Sequence, residues 1–66
     1  MKTLRFKENL KSLRTANGLT QAQLAEKLSV NQRTVSAWEK GVCEPSFAVL
    51  AMISELFDES LENILY

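Results

Sequence analysis

Apolar residues recur at helical spacing along the whole chain. Phe6, Leu10 and Leu13 stand at i, i+4 and i+7, one face of a helix that the pattern places at about residues 4–17. Thr3 is a candidate N-cap for it. Asn17-Gly18 ends it, because Gly18 can adopt the left-handed conformation past the last turn and Leu19 can fold back on Leu13. Thr20 opens a second helix at about 21–28. Thr20-Gln21-Ala22-Gln23 carries the hydroxyl and the third-residue glutamine of a capping box, and Leu24, Ala25 and Leu28 form the inward stripe. Ser29-Val30 makes a tight connection, and Asn31 caps a third helix at about 32–40 that stops at Gly41. Its apolar pair is Val35 and Trp38, while Gln32, Arg33, Ser36, Ala37 and Lys40 face the other way.

Pro45 disfavours helical geometry at Glu44, so Val42-Cys43-Glu44-Pro45 reads as a connection. Ser46 caps a fourth helix at about 47–57. Phe47, Val49, Leu50, Met52, Ile53, Leu56 and Phe57 ring it, which predicts burial on nearly every side. Ser60 caps a last short helix with Leu61, Ile64 and Leu65 inward. No strand pattern occurs. Five short helices with short connections predict a compact all-α fold, residues 1–66 forming one domain. The expected core is Phe6, Leu10, Leu13, Leu24, Leu28, Val35, Trp38, Leu50 and Ile53. So small a domain cannot take up every apolar side chain of its last two helices. Phe47, Phe57, Ile64, Leu65 and Tyr66 are therefore candidates for a dimer surface.

Composition narrows the chemistry. The chain has no His and one Cys, Cys43. That leaves no ligand set for zinc, no imidazole for a nucleophilic triad and no internal disulfide. The glycines, Gly18 and Gly41, do not form a phosphate-cradling loop. No apolar run approaches the roughly 18 residues of a membrane span, and none follows the basic N-terminus as a signal peptide would require. The expectation is a cytoplasmic protein that is not an enzyme and uses no metal or cofactor. Cys43 reads as a loop thiol, since reactivity would require a lowered pKa.

Eight basic and eight acidic residues give a formal net charge of zero, which by itself argues against a nucleic-acid partner. The distribution argues otherwise. All eight basic residues lie in residues 1–40 with only three acids, a net +5. Residues 41–66 hold five acids and no base, a net −5. Such asymmetry points to a charged partner. Lys7, Lys11 and Arg14 add a stripe at i, i+4 and i+7, either a solvated face or one drawn to a phosphate backbone.

The second and third helices, joined by about three residues, make a helix-turn-helix pattern at about 20–40. The outward face of the third suits the DNA major groove: Gln32 can pair bidentately with adenine, Arg33 with guanine, and the Ala37 methyl can touch thymine. Gln32 and Arg33 lie at the helix N-terminus, the part of a recognition helix that reaches base edges.

Four segments together resemble the Cro/repressor-type (XRE-type) helix-turn-helix regulators of phages and bacteria. They are Leu19-Thr20-Gln21-x-x-Leu24-Ala25, Val35-Ser36-x-Trp38-Glu39-x-Gly41, Pro45-Ser46 and Ser60-Leu61-x-x-Ile64-Leu65, spanning about residues 5–65 in order. The resemblance implies a five-helix, lambda-repressor-like fold and a homodimer on a roughly palindromic operator of double-stranded DNA. It places Gln32, Arg33, Ser36 and Ala37 at base-facing positions and Gln21, Asn31, Thr34 and Lys40 near phosphates, with Gln21 also bracing the recognition helix. It also places Arg14 and Glu39 on a partly buried ion pair between the first and third helices. Glu59 departs from the pattern, standing where relatives carry an apolar residue. The leading expectation is a sequence-specific transcriptional regulator, a repressor. The rivals are a protein-interaction module on the same fold, such as an antitoxin-like or antagonist partner, and the DNA-binding part of a longer regulator.

Overall fold

The computed structural model describes residues 4–66. Five helices follow in order: α1 Phe6–Ala16, α2 Gln21–Leu28, α3 Gln32–Lys40, α4 Phe47–Phe57 and α5 Leu61–Leu65. All regular structure among the described residues is helical.

Local side-chain chemistry sets most of the starts. Thr20 and Gln23 form a complete capping box: the Gln23 N–H donates to Thr20 Oγ1 at 3.1 Å, and the Thr20 N–H donates to Gln23 Oε1 at 2.8 Å. Asn31, Ser46 and Ser60 each accept a backbone N–H of the helix they precede. α1 differs. Its N-cap is Arg5, which makes no side-chain cap bond, and the helix begins at Phe6 rather than near residue 4. The Arg5 N–H instead donates to the Leu65 carbonyl at 2.7 Å, 60 residues along the chain. Thr3 lies outside the described residues.

The first four helices end alike. At each, a residue with positive φ follows the helix, namely Gly18, Ser29, Gly41 or Asp58. Its N–H and that of the next residue turn back to the carbonyls of the last turn. For α1 the pairs are Gly18 to Thr15 and Leu19 to Arg14; for α3 they are Gly41 to Trp38 and Val42 to Ala37. This is the Schellman closure, and it satisfies carbonyls that a helix otherwise leaves bare. At Gly41, φ is +76° and an added Cβ would come within 3.1 Å of Lys7 Cδ. Gly41→Ala is therefore expected to lower stability by about 1–2 kcal/mol, from the left-handed backbone with a small addition for displacing Lys7. Urea denaturation of the two proteins checks this. An unchanged midpoint would show that the closure tolerates a side chain.

Leu10, Leu24, Val35, Ile53 and Ile64 are fully buried, and Phe6, Ala25, Leu28 and Trp38 complete the core. Leu13 and Leu50, expected in the core, are half-buried and pack against its edge. Two expectations need correction. Ile64 is 0% exposed, so it cannot contribute to a dimer surface; it packs inward where α5 meets α1. Nor is α4 buried all round. Ile53 is its one fully buried residue, while Phe47, Met52 and Leu56 are 73%, 40% and 38% exposed. A helix at the edge of a small fold has neighbours on one side only, however apolar its sequence.

α5 has five residues, too few to stand alone. Asn9 on α1 holds it: the side-chain N–H₂ donates to the carbonyls of Asn63 and Ile64 at 3.3 and 3.1 Å. Glu59, the departure from the family pattern, is half-buried and accepts a hydrogen bond from Asn63 Nδ2 at 3.1 Å.

Candidate nucleic-acid interface

α2 and α3 are joined by Ser29, Val30 and Asn31. Leu24, Ala25 and Leu28 on α2, with Val35 and Trp38 on α3, are the buried residues of the pair. At 100° per residue this packing leaves Gln32, Arg33, Ser36, Ala37 and Lys40 on the far side of α3. Gln32, Arg33 and Lys40 are exposed, and Ser36 and Ala37 are half-buried. Asn31 is exposed at the N-cap, where its side chain accepts the Arg33 N–H at 2.8 Å, and Thr34 is half-buried.

The inner edge of α3 is anchored by charge. Arg14 Nε donates to Glu39 Oε2 at 2.7 Å and Nη2 donates to Oε1 at 3.0 Å, a bidentate pair. The Arg14 and Glu39 side chains are 11% and 4% exposed. Arg14 Nη1 also donates to the Leu19 carbonyl at 2.9 Å, and Gln21 Nε2 donates to Glu39 Oε1 at 3.1 Å. One carboxylate thus ties α3 to both α1 and α2. Burial pushes the Glu39 carboxyl up, but hydrogen bonds from Arg14 and Gln21, with the attraction of Arg14 and Lys11, overcome it and hold the group below its usual 4.5. The hydrogen bond to Glu39 raises Arg14 further, against desolvation. This changes the reading of the basic stripe on α1. Arg14 is spent on Glu39 and is unavailable to a phosphate backbone, and the Lys7 side chain lies beside Gly41. Lys7 and Lys11 both remain exposed.

Gln21 was expected both near phosphate and as a brace for the recognition helix. Its side-chain amide donates to Glu39, bracing α3, and its backbone opens α2. Glu39 as the partner of Gln21 was not foreseen, nor was the Asn9 clasp on α5. A glutamine opening a capped helix gave a weak signal for the first; nothing local signalled the second.

Two short helices meeting through a three-residue turn, with the second exposing a polar face, match the model of the family described as "Helix-turn-helix" over residues 10–64. The chain belongs to the helix-turn-helix family. Among curated helix-turn-helix proteins it is 40% identical over 62 residues to the transcriptional activator BcrR of Enterococcus faecalis, covering 94% of this chain and 30% of that protein. It is 40% identical over 59 residues to an uncharacterized HTH-type transcriptional regulator of Methanocaldococcus jannaschii, covering 89% of each. A solved transcriptional regulator from Listeria innocua superposes with a TM-score of 0.91 at 31% identity, covering 97% of this chain and 60% of that one. The helix-turn-helix chain described here thus spans less than a third of BcrR and nearly all of the archaeal relative. The five-helix arrangement is that of the lambda-repressor-like regulators. Among the described residues no helix is long and apolar enough to cross a membrane, and no cluster of His, Cys, Asp and Glu could hold a metal ion.

Proposed function

We propose that the chain is a sequence-specific DNA-binding transcriptional regulator that inserts α3 into the major groove and acts as a repressor. One observation carries the reading. The exposed face of α3 presents Gln32, Arg33 and Lys40 with Ser36 and Ala37, while its opposite edge is locked to α1 and α2 through Glu39. A held helix with a free polar face is what groove reading requires. Gln32 pairs with adenine, Arg33 with guanine O6 and N7, Ser36 bonds an adjacent base and the Ala37 methyl meets thymine. Asn31, Thr34 and Lys40, with the α2 N-terminus at Gln21, sit against phosphates. Occupying a promoter in this way blocks it without a further contact, which supports repression.

Two copies bind a roughly palindromic operator, their α3 helices about 34–36 Å apart, one turn of duplex. They meet through Phe57, Leu65 and Tyr66, of which Tyr66 is exposed and the others half-buried. Residues 41–66 carry net −5, so two such surfaces repel, and pairing belongs to the DNA-bound state rather than to free solution.

Selection of bound sequences from a random duplex library tests the proposal. Enrichment of a two-part site is expected; no enrichment would sink it. In the selected site, Arg33→Ala is expected to lose about 1–3 kcal/mol of binding and to relax preference at one base pair. Lys40→Ala is expected to weaken all sequences alike and to reduce the slope of log affinity against log salt by about one. The rival reading, a protein-binding module without DNA affinity, predicts no steep salt dependence at all.

A further inference from the structure

We propose that the outward face of α4 is a docking surface for a basic amphipathic helix of another protein. Six residues of α4 are exposed: Phe47, Ala48, Ala51, Met52, Glu55 and Leu56. At 100° per residue they fall on one contiguous half of the helix, opposite Ile53. Five of the six are apolar, whereas a surface helix ordinarily turns its charged face outward.

The relief of this face is that of a helix seat. Ala48 and Ala51 lie between the larger side chains of Phe47 on one side and Met52 on the other, with Leu56 continuing the Ala48-Met52 row at i+4. The two alanines therefore keep the N-terminal half of the face low, with Glu55 closing it toward the C-terminal end, a relief on which the ridge of a second helix can pack. Phe47, the first residue of α4, is 73% exposed.

Charge selects the occupant. The single ionisable group on the face is Glu55, and exposed Asp58 follows the helix at its C-terminal end. No Lys or Arg occurs anywhere in residues 41–66, which carry net −5. A second copy docking α4 on α4 would bring together two segments that each carry net −5. An anionic membrane surface would meet the same repulsion. A helix with an apolar stripe flanked by Lys or Arg meets neither penalty and gains from both acids. One face of an 11-residue helix offers well under the ~800 Å² per partner of a tight complex, so the contact is a transient, micromolar one. The surface does not involve the polar face of α3, so DNA reading and α4 docking are separable.

The test uses a synthetic 18-residue helical peptide with leucines at i, i+3, i+4 and i+7 and flanking lysines, beside a twin in which glutamate replaces every lysine. Amide chemical shifts of the labelled chain are followed on titration. The lysine peptide is expected to perturb Ala48, Ala51, Met52 and Leu56 with saturation in the micromolar range. The glutamate twin is expected to bind at least tenfold more weakly. Met52→Ser with Leu56→Ser should also lose at least tenfold, while an unchanged amide spectrum elsewhere confirms the fold. The milder Ala51→Glu, which adds charge without removing apolar contacts, should do the same. Equal binding of the two peptides, shifts mapping away from α4, or no shift at all would overturn the proposal. So would a dimer in sedimentation that dissociates on Met52→Ser with Leu56→Ser, since the occupant would then be a second copy.

Discussion

Arg14→Ala is expected to remove about 3–5 kcal/mol of folding stability, the usual consequence of leaving one partner of a buried ion pair alone. Glu39 is the group left behind. Its side chain is 4% exposed, and of its three side-chain hydrogen bonds only the one from Gln21 would remain. Small domains fold with a margin near the lower end of 5–15 kcal/mol, so the variant should be largely unfolded at moderate temperature. The penalty comes from the unpaired charge, not from absence of the pair. Arg14→Met combined with Glu39→Leu should therefore recover more than half of the loss in urea denaturation. If the double variant were no better than Arg14→Ala, the account of an uncompensated carboxylate would be wrong. The same pair predicts a pH dependence. The folded state holds Glu39 below 4.5, so its contribution is fully present above the unfolded value. It is lost as pH falls through the depressed value. The wild type should thus lose stability below about pH 4.5 by more than Glu39→Gln does.

Leu24→Ala is the second large effect, expected at about 3 kcal/mol within the 2–5 range of such truncations. Leu24 is 0% exposed and belongs to the core of the α2–α3 pair, with Val35 and Trp38 on the other helix. Truncation opens a cavity, and the close-packed surroundings recover only part of the lost contact. The seating of α3 depends on this layer as well as on Glu39. Operator affinity measured where the variant is still folded should fall even though no side chain on the outer face of α3 has changed. Unaltered affinity together with a 3 kcal/mol loss of stability would mean that Glu39 alone seats the helix.

What could be read in the sequence was local. The Thr20–Gln23 capping box, the Asn31, Ser46 and Ser60 caps and the glycines at 18 and 41 announce themselves within a few residues. The starts of α2, α3, α4 and α5 and the end of α3 follow from them. What could not be read was set by partners far along the chain. α1 begins without a side-chain cap because the Leu65 carbonyl takes the Arg5 N–H. Ile64 is buried because α1 closes over it, and five residues hold too little periodicity to reveal that. On α4 periodicity said that every side was apolar but could not say which sides had neighbours. The Arg14–Glu39 pair and the bracing role of Gln21 came from family likeness rather than from spacing, and likeness did not name Glu39 as the partner of Gln21. The polar face of α3 needed no distant information, since Val35 and Trp38 define its opposite side.

The repeated helix closure has a consequence for the energetics of recognition. Four helix ends, including the turn between α2 and α3, are fixed by backbone hydrogen bonds rather than by flexible side chains. At Ser29 and Asp58 the chain accepts a left-handed conformation without glycine, a local strain of about 1–2 kcal/mol each. In return the angle between the two helices is set before any ligand arrives. A preorganised turn has little entropy left to lose on binding, so more of the free energy from contacts at the α3 face appears as affinity. For a chain whose net charge is zero, and whose general attraction to a polyanion is therefore modest, that rigidity partly substitutes for positive charge.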